Sequence, residues 1–458
     1  MRAGDASIPA AGGPTQGAPH SAQSPAQPPA QPPAMPGARA WIVLGVLWFV
    51  YVLNFLDRQL LSILAKPIQD ALHVTDGQLG LISGLYFALF YCLIAIPVGR
   101  LADRTSRVGV LSIACALWSA ATMSCGLARS YPQLAAARMT VGVGEAGGVP
   151  PSYALISDHF PPGRRGAALG LYNLGPPMGQ ALGVAFGAAI AAAFSWRMAF
   201  LALGAVGLVA AAAAALIIRE PRRGGLDAAP LADAAAPTSF LATTAMFFSR
   251  PSLVLIALAC GATQFVTYGM MNFTTLLLMR EKAMPLQAVA VWYALVIAAG
   301  MGGGIAVSGQ LIDRLTRRAK AAYALVPAMA LAAAVPFFAA FVWAPTWPLA
   351  LVLLLAPMAL NYFYLSPAVA LVQEEVAPHQ RVLAGALLLL VMNLIGLGLG
   401  PTYVGWASDA FRAHHAVHPL QMAFYTLLPF YVVAIALFAA LAQVLKREAA
   451  TPNGDLRP

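Results

Sequence analysis

Long apolar runs, separated by short polar loops, dominate the pattern of hydrophobic and polar positions in this chain. A helix needs about 20 apolar residues to cross a bilayer, and runs of that length predict twelve spans. Spans 1 to 6 are predicted at residues 41–64, 76–98, 108–128, 132–156, 166–193 and 197–218. Spans 7 to 12 are predicted at residues 252–279, 286–310, 321–343, 347–371, 382–407 and 421–445. The pattern therefore predicts an all-α membrane protein.

A polar stretch divides the twelve predicted spans into two sets of six. It reads REPRRGGLDAAPLADAAAPTSF between span 6 and span 7, and it is the longest polar interruption between the spans. The predicted organisation is a disordered Pro- and Ala-rich tail at 1–38, an N-terminal six-helix bundle at 39–219, a linker loop at 220–250, a C-terminal six-helix bundle at 251–447 and a second tail at 448–458. The first tail cannot bury a core, and the apolar run that follows it is too long for a signal peptide.

Two polar landmarks occur once in each half of the chain. GRLADRTSR at 99–107 follows span 2, and GQLIDRLTR at 309–317 follows span 8, both with the spacing G-x-x-x-D-R-x-x-R. Similarly, PPGRRGAALG at 161–170 precedes span 5, and APHQRVLAGAL at 377–387 precedes span 11. Matched landmarks at matched positions indicate an internal duplication. The expected fold is two pseudo-symmetric six-helix bundles with a site between them, which is typical of transporters.

Composition and charge agree with a membrane location. The chain is 60% hydrophobic and 10% charged, whereas soluble domains carry about 25% charged residues. Its formal net charge of +10 does not indicate a nucleic-acid partner, because the basic residues cluster in loops and no nucleic-acid-binding motif occurs. With the N-terminus inside, 19 of the 27 Lys and Arg fall on the cytoplasmic side, six outside and two within spans. The positive-inside rule therefore predicts that both termini and the linker lie in the cytoplasm. The expected location is the bacterial inner membrane, as a multi-pass protein.

Neither the cysteines nor the histidines predict a metal site. The four cysteines lie in apolar segments without metal-ligand spacing, and packing between helices explains them: Cys92, Cys115, Cys125 and Cys260. Three histidines, His414, His415 and His418, cluster on the last outer loop. They could form a metal or pH-sensing site, although a solvated loop is the favoured interpretation. No metal and no cofactor are expected.

After residue 40 the chain resembles the major facilitator superfamily over nearly its whole length. The loop signature GRLADRTSR and its second copy carry that resemblance. More narrowly, the chain is similar to the Spinster branch in NFLDRQLLS of span 1, RMTVGVGEA of span 4, REPRRG after span 6 and GWASD after span 11. The resemblance implies a transporter of twelve helices, in which one six-helix half rocks against the other to give alternating access.

Span 1 carries a carboxylate, Asp57, although a charge near the middle of a bilayer costs about 3 kcal/mol. Counting residues from the outer helix ends places Asp57 of span 1 and Arg138 of span 4 at the same depth, roughly 10 Å below the outer surface. The two charges are therefore expected to pair. Glu145 lies two helical turns deeper, on one stripe of span 4 with Arg138 and Gly142.

Asp57, Arg138 and Glu145 are interpreted as a proton switch. If a substrate anion draws Arg138 away, Asp57 loses its compensating charge and takes up a proton, which leaves when the pair re-forms. In Spinster-like proteins the equivalent Asp, Arg and Glu are associated with proton coupling and gating, so the resemblance points the same way. The alternative is a fixed ion pair that only locks spans 1 and 4 together.

Polar side chains within the spans are candidates for a substrate cavity between the halves. Arg58 either lines this cavity and binds an anionic group or extends outward along the helix, and the sequence does not decide between these. The candidate set is Asn54, Arg58, Tyr172, Asn173, Gln264, Tyr268, Asn272, Asn361 and Tyr364. For the Asn and Tyr residues, ordinary packing between helices is the alternative.

The duplicated loops are predicted to form a cytoplasmic gate. Family resemblance assigns this loop to a latch that holds the outward-open state, and its glycines would let helices approach closely. The gate residues are Gly99, Asp103, Arg104, Arg107, Gly309, Asp313, Arg314 and Arg317. The alternative is a plain topology signal. In span 5, Pro176 and Pro177 predict a break or hinge.

The predicted function is transport and not catalysis. Asp57 and Glu145 superficially resemble an intramembrane aspartyl dyad, but a dyad needs two acids at short range, and no H-E-x-x-H or G-x-S-x-G motif occurs. The expected protein is a monomeric secondary active transporter of a small or amphiphilic organic anion, coupled to protons and surrounded by membrane lipids. The resemblance suggests lysophospholipids or sphingoid-type lipids. The alternative is a facilitator or symporter of a polar organic acid, a sugar acid or a drug.

Overall fold

A computed structural model describes residues 37–221, 240–316, 319–377 and 380–450. Nearly all of the predicted N-terminal tail, part of the predicted linker, most of the C-terminal tail and Arg317 lie outside these ranges. The described chain is built from helices and short connecting turns. Its long apolar segments become helices because lipid leaves no other partner for the backbone N–H and C=O groups.

Helices account for all six spans of the first half. Span 1 is Ala38–Ile63, followed by a short helix at Ala65–Leu72. The remaining spans are Asp76–Ser83 with Leu85–Arg104 (span 2), Arg107–Leu127 (span 3), Tyr131–Glu145 with Val149–His159 (span 4), Pro162–Tyr172 with Gly175–Ala193 (span 5) and Trp196–Ile217 (span 6).

The second half repeats this arrangement after a short helix at Phe240–Ser249. Its spans are Pro251–Arg280 (span 7), Leu286–Leu315 (span 8), Ala322–Trp343 (span 9), Trp347–Glu375 (span 10), Arg381–Ala413 (span 11) and Pro419–Tyr425 with Leu428–Ala450 (span 12). Span 8 contains two π-helical turns, at Val289–Tyr293 and Ala298–Gly302, and span 11 contains a longer one at Asn393–Leu399. Such turns often mark functional positions in helices.

Eleven of the described helices are long and apolar enough to cross a membrane. The predicted twelfth, span 4, is divided at Ala146–Gly148 into two shorter helices, because Pro150 and Pro151 begin the second helix and cannot continue the first. Span 5 is divided in the same way before Pro176 and Pro177, where the break was predicted. One boundary was wrong: GWASD lies inside the helix Gly400–Ala413 and not after span 11.

Small residues let the spans of each half pack closely. In span 5, Gly179 faces span 1 so closely that an added Cβ would lie 2.4 Å from the carbonyl oxygen of Val52. Span 6 approaches span 3 in the same way, because a Cβ added to Gly204 would lie 2.6 Å from the carbonyl oxygen of Ser119. This packing is typical of membrane helices, which associate through van der Waals contact because lipid supplies no hydrophobic driving force between them.

The two halves are in close contact at the end of the bundle that carries Asp76. We call this the Asp76 end, and the opposite end, where span 1 begins, the Ala38 end. A Cβ on Gly80 of span 2 would lie 2.4 Å from the carbonyl oxygen of Pro401 in span 11. Deeper in the bundle, a Cβ added to Gly84 would lie 2.6 Å from the carbonyl oxygen of Gly398. Span 2 and span 11 are therefore in backbone contact across the boundary between the halves.

Glu220 holds the start of span 3 at the Ala38 end. Its carboxylate accepts hydrogen bonds from the Ser106 hydroxyl at 2.6 Å and from the backbone amides of Arg107 and Val108 at 3.1 and 3.0 Å. Partial burial acts to raise the pKa of Glu220, but these hydrogen bonds outweigh it and hold the pKa below its ordinary value. The carboxylate thus ties the chain after span 6 to a helix N-terminus, where negative charge is favourable.

Glu220→Gln is expected to lower the thermal midpoint of the protein at pH 7. A carboxyl group with a lowered folded pKa stabilises the fold above its unfolded pKa of about 4.3, and that contribution disappears as pH falls through the folded value. The difference between wild type and variant should therefore shrink below about pH 4. Thermal unfolding in detergent across pH 3 to 8 measures this. Asp70→Asn, in an exposed pair with Lys66, is the matched control, and equal midpoints at pH 7 would contradict the role of Glu220.

Candidate functional site

A buried ion pair joins span 1 to span 4. Arg138 Nη1 donates to Asp57 Oδ2 at 3.0 Å, and both side chains are 2% exposed. Thr122 of span 3 donates its hydroxyl to the other carboxylate oxygen, Oδ1, at 2.8 Å. The predicted pairing is therefore present, and a third helix contributes to it. Asp57 has partners for both oxygens, as a buried carboxylate needs.

A second ion pair lies beside the first, and its partners are Arg58 and Glu145. Arg58 Nε donates to Glu145 Oε2 at 2.7 Å; Glu145 is fully buried, and the Arg58 side chain is 14% exposed. The guanidinium also lies over the rings of Phe55, Phe87 and Tyr91, at 4.9, 5.0 and 5.2 Å from their centroids. Arg58 therefore points into the protein and does not extend outward along the helix, and aromatic faces stabilise its charge.

The two pairs connect consecutive residues of span 1 to one stripe of span 4. Asp57 and Arg58 lie about 100° apart around their helix and only about 1.5 Å apart along it, so their side chains leave span 1 in different directions. Arg138 and Glu145 are about two turns apart on span 4, and each pairs with one of them. Gly142 lies between them and allows close packing, since an added Cβ would be 2.7 Å from the carbonyl oxygen of Phe87. The four charges sum to zero, which reduces the cost of burying them.

A narrow cavity of about 20 Å³ opens beside these pairs, between the two halves. From the first half it is lined by Phe55, Arg58, Gln59, Ser83, Phe87, Arg138 and Gln180, and from the second half by Tyr268, Met271, Asn272 and Leu397. Of the predicted cavity residues, Arg58, Tyr268 and Asn272 are brought together here. The volume is enough for about one water molecule.

Gln59 and Gln180 were not among the predicted cavity residues. Both line the cavity. Both are buried, and among the described residues neither Gln59 Nε2 nor Gln180 Oε1 has a hydrogen-bond partner. A buried amide group without a hydrogen-bond partner is costly, so these two groups are open to a polar partner in the cavity. The signal in the sequence was a Gln directly after Asp57 and Arg58, and a Gln among the glycines of span 5.

Two first-half candidates, Tyr172 and Asn173, do not line this cavity. Tyr172 stacks on Tyr51 with ring centroids 4.4 Å apart. Asn173 accepts a hydrogen bond from the hydroxyl of Tyr153 at 2.8 Å. Both side chains are used in contacts within the first half. Asn54 is also outside the cavity lining, although it is buried next to the ion pairs in sequence.

In the second half, Asn361, Gln264 and Tyr364 are buried away from the cavity lining. The Asn361 amide exchanges hydrogen bonds with the Tyr431 hydroxyl, at 2.9 and 3.1 Å, so it connects spans 10 and 12. Gln264 packs against Gly396 in the π-helical turn of span 11. For Asn361 the packing interpretation fits the structure.

The predicted gate residues are only partly described. The side chains of Asp103 and Asp313 lie outside the described part of the structure, and Gly99 has open space where a Cβ would be. The close helix approach expected at Gly99 is therefore not present. Arg107 forms an ion pair with Asp158, at the end of span 4. Arg104 and Arg314 are exposed.

Similar proteins agree with this architecture. Residues 47–401 match the profile of the Major Facilitator Superfamily. An MFS-type efflux pump of Mycolicibacterium smegmatis is 32% identical over 81% of this chain and 85% of its own length. A hexuronate transporter of Bacillus subtilis is 25% identical over 78% of this chain and 85% of its own length.

A solved structure is similar to nearly the whole of this chain. The crystal structure of a bacterial homolog of the human lysosomal transporter Spinster, in an inward-facing and unoccupied conformation, superimposes with a TM-score of 0.82 and 28% identity. The match covers 91% of this chain and 99% of that one. The chain therefore belongs to the major facilitator superfamily of membrane transporters and is similar to its Spinster branch.

Proposed function

We propose that this protein is a proton-coupled secondary transporter of an organic anion, working by alternating access. The proposal rests on two buried ion pairs, Asp57–Arg138 and Arg58–Glu145. They lie beside a cavity that is lined by both halves. Buried ionisable groups in a membrane protein are expensive and are retained where they act on an ion or a substrate. The protein is proposed to act as a monomer, in the bacterial inner membrane, without catalysing a chemical reaction.

Substrate first meets Arg58 in this mechanism. Arg58 is 14% exposed, whereas Arg138 is 2% exposed and already held by Asp57. An anion that binds the Arg58 guanidinium competes with Glu145 for it. Glu145 is fully buried and its Oε1 has no partner among the described residues, so without Arg58 its negative charge is uncompensated. It then takes up a proton, and release of the anion returns Arg58 to Glu145 and expels the proton.

The Asp57–Arg138 pair completes the proposed switch. Arg138 lines the cavity and its Nε has no partner among the described residues, so it can also turn toward a bound anion. In that case Asp57 keeps the hydrogen bond from Thr122 and takes up a proton in place of the lost cation. Two carboxylates that change charge with anion binding would couple transport to the proton gradient.

The described conformation is proposed to be inward-facing. The halves are in contact at the Asp76 end, and the positive-inside rule places the Ala38 end in the cytoplasm. The Spinster homolog that superimposes on this chain is itself inward-facing. In the proposed cycle the Asp76 end opens to the periplasm while the Ala38 end closes.

The substrate class is proposed to be an anionic head group on an organic body. Arg58 and Arg138 suit a carboxylate or a phosphate, and the rings of Phe55, Phe87 and Tyr268 suit an apolar or planar portion. Lysophospholipids and sphingoid phosphates have this chemistry, and the resemblance to the Spinster branch supports them as the first candidate. Sugar acids have it as well, and the hexuronate transporter among the relatives supports this second candidate.

Flux in proteoliposomes tests the proposal. Purified protein is reconstituted, a pH gradient is imposed, and movement of lysophospholipids, sphingoid phosphates, hexuronates and small carboxylates is followed. We expect one class to accumulate against its concentration gradient and to stop when a protonophore collapses the pH gradient. Neutral analogues of the same size are the matched controls. Equal movement of anion and neutral analogue, or flux that ignores the pH gradient, would contradict the mechanism.

A further inference from the structure

A fully buried carboxylate, Asp76, lies at the boundary between the halves, and the transport mechanism does not use it. Its Oδ1 accepts from Arg280 Nη1 at 3.0 Å and from Gln69 Nε2 at 2.6 Å. Its Oδ2 accepts from Arg280 Nη2 at 2.8 Å, from Arg412 Nη2 at 2.6 Å and from the Ser408 hydroxyl at 2.6 Å. Gln69 belongs to the first half, whereas Arg280, Arg412 and Ser408 belong to the second.

The contact is reciprocal, because a carboxylate of the second half also accepts hydrogen bonds from the first half. Asp409 of span 11 accepts from the backbone amides of Asp76 and Gly77, at 3.2 and 2.8 Å. These amides lie at the N-terminus of span 2, where a negative charge is stabilised. The backbones are in direct contact here, since a Cβ on Gly405 would lie 2.2 Å from the carbonyl oxygen of Asp76. Two carboxylates and two arginines thus form one neutral cluster across the boundary.

We propose that the cluster of Asp76, Arg280, Arg412, Ser408 and Asp409 is the lock that holds the Asp76 end closed, and that it sets the balance between the two access states. Rocking of one half against the other separates every inter-half bond of the cluster at once. Asp76 would then keep only Gln69, which comes from its own half. A buried carboxylate that loses its cations is strongly destabilised, so the Asp76 end can open only where water replaces these partners.

The proposed lock rests on the alternating-access mechanism above, but it does not depend on the substrate or on proton coupling. It requires only that Asp76 lose its partners from the second half in one access state. The exposed pair Lys66–Asp70 offers a comparison at the same end. Lys66 Nζ lies 2.5 Å from Asp70 Oδ1, the Asp70 side chain is 62% exposed, and both residues belong to the same short helix.

Spin labels across the Asp76 end test the lock. Arg129→Cys lies in the loop between spans 3 and 4, and Val417→Cys lies in the loop between spans 11 and 12; the four native cysteines are replaced by serine. Double electron–electron resonance then measures the distance between the halves in detergent and in nanodiscs. Asp76→Asn is expected to raise the ratio of open to closed populations at this end by at least about tenfold. Asp70→Asn, with the same loss of one charge, should leave the distribution unchanged.

A double-mutant cycle shows whether the bond between Asp76 and Arg280 is what holds the Asp76 end closed. Arg280→Gln should also favour the open end, and the double variant Asp76→Asn with Arg280→Gln should open no further than the stronger single variant, because the shared bond is already lost. Ser408→Ala removes one neutral donor and should shift the ratio of open to closed populations by less. It replaces the charge variants in the test if those do not fold. Distances in all four variants that match those of Asp70→Asn would overturn the proposal. The distance measurement needs no substrate, so it is independent of the flux experiment.

Discussion

Asp57→Asn is expected to reduce pH-gradient-driven transport by at least about tenfold, because coupling needs a group that gains and loses charge inside the membrane. The carbonyl oxygen of asparagine can keep the hydrogen bond that Asp57 accepts from Arg138, and its amide nitrogen can donate to the Thr122 hydroxyl, which donates to Asp57 in the wild type. Asparagine cannot take up a proton, so it resembles the protonated carboxyl at every pH. Flux in proteoliposomes with and without the pH gradient measures the effect.

Exchange of substrate at equal pH on both sides separates loss of coupling from loss of folding. We expect Asp57→Asn to retain exchange, since exchange needs the substrate site and the rocking motion but no net proton movement. Thr122→Val is the matched control. It removes the neutral donor to Asp57 Oδ1 but keeps the carboxylate, so gradient-driven flux should persist. If Asp57→Asn still accumulates substrate like the wild type, Asp57 only locks spans 1 and 4 together.

Arg58→Gln is expected to abolish saturable anion transport and also to lower the stability of the protein. The variant leaves Glu145 fully buried without its cation, and breaking a buried pair by removing one partner costs about 3–5 kcal/mol. It also removes the guanidinium from the rings of Phe55, Phe87 and Tyr91. The thermal midpoint in detergent and the concentration dependence of uptake measure these two effects separately.

The double variant Arg58→Gln with Glu145→Gln distinguishes binding from folding. With both charges removed, no buried ion is left unpaired, so the thermal midpoint should recover most of its loss. Transport should not recover, because the anion-binding guanidinium is still absent. Arg58→Lys keeps the charge but loses the planar fork, and it should raise the half-saturation concentration without removing transport. Recovery of transport in the double variant would show that Arg58 is structural.

The proposed lock at the Asp76 end and the proposed switch at Asp57 would act at different steps of one cycle. The switch would couple charge to substrate, whereas the lock would set which side is accessible when no substrate is bound. A transporter with a weakened lock should still bind and couple, but from a different resting state. Measuring both therefore separates a change in coupling from a change in the resting conformation.

Several parts of this architecture could be predicted from the sequence, for physical reasons that are local. Lipid requires helices of about 20 apolar residues, so the spans are visible as apolar runs. A helix rises by a constant amount per residue, so the depths of Asp57 and Arg138 could be counted from the helix ends. A buried charge needs a partner, and equal depth made these two charges the natural pair. The break in span 5 follows from prolines that cannot donate a hydrogen bond.

The tertiary structure decided which residues meet across helices. Depth along a helix can be counted, but the rotation of span 1 against span 4 cannot, so the pairing of Arg58 with Glu145 and the placement of Gln59 in the cavity became visible only in the packed bundle. The same holds for Asp76, whose partners Arg280 and Arg412 are 204 and 336 residues away in the chain. The π-helical turns of spans 8 and 11 likewise became visible only in the structure. The sequence by itself determined the helices, their depth and the need for buried charges to pair, because these depend on the local chain and the bilayer; the partners depend on how twelve helices pack against one another.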